Sequence, residues 1–270
     1  MKISLTSDVH LEFGPATIEN KEAADVLILA GDVLVASDFQ EKAYDREFYL
    51  KKIRDYDKFI ESCCSEFNNV IMICGNHEHY SGNIDKSVKI IRDRYSNLFN
   101  FTLLDNEKTE IDGVVFLGGT CWTNMNKNDP MTKIRVRQSM NDFQLIHKTN
   151  GDTLFNPDDA VLRYEKYVSF LFQELDEEKP NVVISHHPPS KEFVHPKYRY
   201  DPEMNGAYCN DLDGFIIDHE KEIAAWVCGH VHHAHTEVIG DVPVYCNPRG
   251  YFGVEHDSTE IRLLTFEVGK

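Results

Sequence analysis

Five short apolar runs, at residues 3–6, 26–30, 71–74, 182–185 and 224–228, each end in polar groups able to bind a metal. The groups that follow are Asp8 and His10, then Asp32, then Asn76 and His77, then His186, then His230 and His232. Runs of this length that stop at a polar turn read as buried strands. Open α/β proteins present their chemistry at such carboxyl ends. His230 and His232, offset by two, can face the same side if the backbone there is extended.

Between these runs, residues 43–67 predict a long amphipathic helix with Tyr44, Phe48, Ile53, Phe59 and Ile60 on its apolar face, and 84–96 a second helix. Strands are expected near 101–104 and 114–118, then a helix over 158–176 opened by Asn156-Pro157-Asp158. Residues 211–220 predict a short helix. Strands at 234–239, 242–246 and 260–266 follow, the first two joined in a hairpin by Gly240-Asp241. The stretches 120–156 and 188–208 are polar, broken and too long for plain connections, which makes them lids or inserts over a site. Alternating strands and helices followed by consecutive strands predict an α+β chain, two packed sheets covered by helices, in one domain spanning 1–270.

Composition narrows the function classes. With 41% apolar and 27% charged residues the chain reads as an ordinary soluble protein. No run approaches the roughly 18 apolar residues of a membrane span. The chain opens in a strand pattern without the blocks of a secretory signal, so a cytoplasmic location is expected. Seven cysteines without a CxxC pair fit reduced thiols, with Cys74, Cys228 and Cys246 as small buried residues. A net charge of -17 argues against long nucleic acid as a partner. Positive charge is local: Lys133, Arg135 and Arg137, then Lys191, Lys197 and Arg199, then Arg249.

Two carboxylates, one amide oxygen and four imidazoles form a nitrogen and oxygen donor set without thiolate. That mixture suits Mn²⁺ first, with Fe, Zn²⁺ or Ni²⁺ as alternatives. Seven donors exceed one ion but fit two divalent ions sharing a carboxylate, as in hydrolases whose metals sit about 3.5–4 Å apart.

The blocks Asp8-Val9-His10, Gly31-Asp32, Gly75-Asn76-His77-Glu78, His186 and Gly229-His230-Val231-His232 come in the order DxH, GD, GNH(D/E), H and GHxH. The chain resembles the calcineurin-like metallophosphoesterase superfamily, and its Asn247-Pro248-Arg249-Gly250 is similar to the ending of small bacterial and phage members. The resemblance implies the metallo-dependent phosphatase fold, a four-layer α/β/β/α sandwich of two mixed sheets flanked by helices. It implies Asp8, His10 and His232 on a first metal, Asn76, His186 and His230 on a second, and Asp32 bridging both. His77 is implied as the catalytic non-ligand histidine that assists the leaving oxygen, with Asn76, His77 and Arg249 on the substrate.

Ser7 stands where family members usually have Gly, and only a local change is expected. His79, His187, His233 and His235 are expected in supporting or surface positions, and Glu78 is expected to orient a histidine. The implied reaction is attack on phosphorus by a hydroxide shared between the metals. The expected substrate is a small phosphodiester or nucleotide; phosphomonoesters, including phosphoproteins, and a non-catalytic scaffold of the same fold are the alternatives. Trp122, His195, Tyr198 and Tyr200 are candidates to stack on a base, or to pack their loops onto the sheet.

Overall fold

The computed structural model describes residues 1–40, 46–148, 153–255 and 259–269. In chain order its strands are β1 (Lys2–Thr6), β2 (Val26–Ala30), β3 (Asn69–Ile73), β4 (Phe101–Leu104), β5 (Glu107–Ile111), β6 (Val114–Gly119), β7 (Asn181–Ser185), β8 (Ile223–Cys228), β9 (His235–Ile239), β10 (Val242–Cys246) and β11 (Leu264–Glu267). The helices are α1 (Arg46–Glu66), α2 (Ile84–Arg94), α3 (Met125–Asn128), α4 (Pro130–Ser139), α5 (Asp142–Leu145), α6 (Pro157–Glu174), α7 (Pro202–Tyr208) and α8 (Asp213–Asp218).

The apolar runs are continuous because both faces of each sheet are covered. In β2, Val26, Ile28 and Ala30 face the second sheet, where Val114, Phe116, Val182, Ile184 and Val227 meet them. The alternate residues Leu27 and Leu29 face outward onto Tyr56, Phe59, Ile60 and Cys63 of α1. The second sheet repeats this design, turning Leu117, Val183 and Trp226 onto Tyr167 and Leu171 of α6 and Ile216 of α8. The strand orders are β11-β1-β2-β3-β4 and β5-β6-β7-β8-β10-β9. In each, four neighbouring strands run parallel; antiparallel β11 closes one edge of the first sheet, and antiparallel β5 and β9 close both edges of the second. This is the four-layer metallo-dependent phosphatase fold expected above.

Local signals set the element ends. Asn156 caps α6, accepting the Asp158 and Asp159 amides while Asp159 reaches back, with Pro157 at the first helical position. The hairpin of β9 and β10 forms as expected.

Several expectations need correction. Strand β5 was not foreseen: its Glu107-Lys108-Thr109-Glu110 is an edge with one face in solvent, so it carries no apolar run. Phe48, placed on the apolar face of α1, is 51% exposed, whereas Tyr56 is fully buried. Tyr44 lies outside the described residues. The stretch 120–156 contains α3, α4 and α5 and a small core in which Trp122 packs with Met125, Val136, Phe143 and Phe155. Trp122 is 3% exposed and therefore a packing residue, not a base-stacking one. No helix among the described residues is long and apolar enough to cross a membrane.

Candidate metal centre

The carboxyl ends of β1, β2 and β3 in one sheet and β7 and β8 in the other meet at one rim of the sandwich. Asp8, His10, Asp32, Asn76, His77, His186, His230 and His232 converge there, and all but His232 are buried. Asp8, His10, Asp32, His230 and His232 have φ values of 50, 49, 54, 70 and 44°, the left-handed region that residues with a Cβ rarely enter. Such strain persists only where the surroundings enforce it, and it clusters at functional sites. Gly31 takes part with φ 86°; a Cβ there would meet Gly75 N at 2.7 Å and His186 Nδ1 at 2.5 Å.

The donors fall into two groups joined by one oxygen. Asp8, His10 and His232 bring ligand atoms within 4.8 Å of one another, and so do Asp32, His186 and His230. His10 Nε2 lies 3.0 Å from His232 Nε2, two ring nitrogens turned to one point. Asp32 Oδ2 lies 3.3 Å from His186 Nε2 and 3.8 Å from His10 Nε2, between the groups. Asn76 Oδ1 lies 3.1 Å from His186 Nε2. His230 Nε2 is buried without a hydrogen-bond partner. An orphaned imidazole nitrogen facing a carboxylate is the arrangement a cation completes, so the donor set fits divalent metal.

Outer contacts hold the imidazoles with Nε2 inward. His186 Nδ1 is 2.9 Å from the Ala30 carbonyl oxygen, and His232 Nδ1 is 3.0 Å from Glu255. Glu12 Oε1 takes both His10 Nδ1, at 3.0 Å, and His77 Nδ1, at 2.8 Å. The His230 amide donates to Asp8, and the His77 amide to Asp32 Oδ1. Ser7, in place of the usual Gly, donates its hydroxyl to Asp8 Oδ2. Glu78 orients no histidine; its carboxylate accepts the amides of Asp32, Val33, Leu34 and Gly75, pinning two strand ends together.

Electrostatics tell the same story. Burial would lower the His186, His232 and His77 imidazoles, but neighbouring carboxylates override it, raising them to about 10, about 10 and about 9. Burial opposes ionisation of Glu12, yet bonds to His10 and His77 bring it down to about 2. His230 is driven well below its usual range by burial and the other imidazoles, which keeps it neutral and ready to ligate. Protons are held where cations would sit, and metal binding displaces them.

A cleft of about 760 Å³ opens over this wall. Its other side comes from residues 139–142 and 194–209, including His195, Lys197 and Tyr198, while Tyr200 is 96% exposed and does not line it. The basic residues 133 and 135 are tied down: Lys133 to Asp158, and Arg135 to Asp201 and Glu203 across from α4 to α7. Arg249, expected on the substrate, does not line the cleft. It is 7% exposed and donates to the carbonyls of Val9 at 2.8 Å, Gly14 at 3.2 Å and Pro15 at 2.8 Å. Among the additional histidines, His187 is buried with its ring 4.1 Å from that of His230, His79 is buried behind Trp122, and His233 and His235 are half-buried.

Sequence reasoning passed over Glu12, Asp142, Tyr80, Tyr251 and Glu255, all of which touch or line this site. Only Glu12 had a signal, sitting two residues beyond His10 in the same loop.

One sequence family, described as calcineurin-like phosphoesterase, matches residues 1–234. An uncharacterized protein of Acanthamoeba polyphaga mimivirus is 27% identical over 269 residues, covering 91% of this chain and 89% of that one. Among solved structures, the phosphopantetheinyl hydrolase of Mycobacterium tuberculosis superposes with TM-score 0.59 at 17% identity, covering 93% of this chain and 89% of that one. The TT1561 protein of Thermus thermophilus does so with TM-score 0.53 at 13% identity, over 98% and 97%.

Proposed function

Because the chain belongs to the calcineurin-like phosphoesterase family and is a metal-dependent phosphoester hydrolase, we propose that it works with two divalent ions on a small phosphodiester or nucleotide. Asp8, His10 and His232 would hold one ion, Asn76, His186 and His230 the other, and Asp32 both. The observation that carries this is Asp32 Oδ2, set 3.3 Å from His186 Nε2 and 3.8 Å from His10 Nε2, one oxygen common to two donor groups. Mn²⁺ is the ion we favour, with Fe, Zn²⁺ or Ni²⁺ compatible with the same donors.

Ions so held supply Lewis acidity toward the phosphoryl oxygens and acidify water. The chain's own residues do the rest. His77 is fastened to Glu12 through Nδ1, leaving Nε2 toward the cleft. With Nδ1 held by Glu12, the ring can pass a proton from Nε2 to the leaving oxygen as the phosphorus–oxygen bond breaks. Tyr80, stacked on the His77 ring with centroids 4.1 Å apart, limits its rotation.

Charge favours a diester. Among the described residues lining the cleft, Lys197 is the one Lys or Arg, set against Asp32, Asp142, Asp201 and Glu255. A monoanionic diester needs less protein cation than a dianionic monoester. We read residues 1–270 as one catalytic unit whose segments 120–156 and 188–208 cover the cleft, a reading supported by the Arg135 bridge between them. The free cysteines suit a cytoplasmic setting.

Hydrolysis of bis(p-nitrophenyl) phosphate and p-nitrophenyl phosphate with Mn²⁺, in wild type and His77→Ala, tests the proposal. A diester preference lost in the variant is expected. A monoester preference would overturn the substrate reading, and full activity in the variant would overturn the role of His77.

A further inference from the structure

We propose that Asp142, from the segment over the cleft, is a positioning residue that selects the amide orientation of Asn76 and so builds one metal position. The inference rests on the two-ion reading above. Asp142 opens α5, is 2% exposed, and lies 66 positions from Asn76 in sequence. Its Oδ1 accepts two bonds, from Asn76 Nδ2 at 2.8 Å and from the Tyr80 hydroxyl at 2.6 Å. Tyr80 in turn accepts from Asn76 Nδ2 at 3.1 Å. The amide nitrogen is thus enclosed by Asp142 and Tyr80, and Asn76 Oδ1 is left facing His186 Nε2 at 3.1 Å.

Turned over, the amide would set its oxygen against the Asp142 carboxylate and aim N–H groups at the metal position. An amide N–H cannot ligate a cation, and two acceptors at this distance repel. Asp142 therefore decides whether Asn76 offers oxygen or nitrogen. The same carboxylate holds Tyr80, whose ring lies on His77, so one buried group from the covering segment fixes a candidate ligand and the face of the proton donor. The segment 120–156 is then part of the metal centre and not only its cover.

Metal-free full-length protein is titrated with Mn²⁺, free ion being read by electron paramagnetic resonance, alongside thermal unfolding. The wild type is expected to take two ions. Asp142→Ala should keep one tight ion and bind the other at least about tenfold more weakly, the scale of losing an outer partner. Asp142→Asn, whose side-chain oxygen still accepts both donors, should bind both ions as the wild type does. Asp142→Ser, too short to reach the amide, replaces the alanine variant if that one does not fold.

Two ions bound normally by Asp142→Ala or Asp142→Ser would overturn the proposal. So would Asp142→Asn as weak as alanine, which would make charge and not orientation the cause. Equal weakening of both ions together with a lowered unfolding midpoint would reduce Asp142 to a structural residue. A wild type that takes fewer than two ions would overturn the two-ion reading itself, a failure visible before any variant is made.

Discussion

In and directly behind one wall of the cleft, Asp8, His10, Asp32, His77 and His186 are buried and each is fastened by a polar contact. Behind the facing wall, Arg135 pairs directly with Asp201 and Glu203 at the surface, with its side chain 44% exposed. The first wall grows from strand ends that two packed sheets cannot move; the second is carried by α4, α7 and their loops. Buried bonds act at low dielectric and leave a costly unpaired group when broken, whereas exposed pairs are screened and exchange for water at little loss. The donor side is therefore held rigidly, and the facing side by contacts that exchange with water.

The hardest test of that contrast is Asp32→Ala. It should abolish activity and lose bound metal, measured by plasma emission on the purified protein. His77→Ala should keep the metal while turnover falls by about 10²–10⁴, the usual share of general acid catalysis. Metal loss in the second variant would show that the two roles are not separable.

Glu12 comes next. Glu12→Ala should lower turnover roughly 10–100-fold by releasing two imidazoles, and Glu12→Gln, with an oxygen still in place, should fall less. In metal-free protein the Glu12 carboxyl drops from 4.5 to about 2 on folding, a depressed acid, so its contribution is present above pH 4.5 and lost as pH falls toward 2. His77 shifts from 6.5 to about 9, so its share is complete below pH 6.5 and lost as pH rises through 9. Melting temperature against pH should show both limbs in the wild type and flatter ones in Glu12→Gln; unchanged limbs would put the effect elsewhere.

Arg249→Ala should cost about 3 kcal/mol of stability by stranding buried carbonyls, read by urea unfolding, and leave KM of the folded fraction unchanged. A raised KM with unaltered stability would return Arg249 to the substrate. The smallest effect is expected from Arg135→Ala on the facing wall. Its unfolding midpoint should barely move and its metal content not at all, while KM becomes more sensitive to salt. A large loss of stability would erase the distinction between the walls.

Ease of reading follows the same division. Strand ends were legible because sheets covered on both faces need unbroken apolar runs, against which Asp8, Asp32 and His186 stand out. Strand β5 was not, since an edge with a wet face tolerates Glu107 and Lys108. The helices of 120–156 were obscured because their core around Trp122 is assembled from scattered residues and not from a periodic face. Arg249 looked like a substrate contact because a sequence shows a charge and not the three carbonyls that enclose it.

By itself the sequence determined the metal-capable donors, their order and the alternation that makes two covered sheets, because hydrophobic period and ligand chemistry are local properties of the chain. Tertiary structure alone decided that one Glu12 oxygen serves two histidines, that Asp142 turns Asn76, and that Glu78 clamps backbone instead of an imidazole. Those are contacts between residues whose partners lie 45, 65 or 66 positions away, or that share an atom, and hydrogen-bond geometry exists only once the sheets have packed.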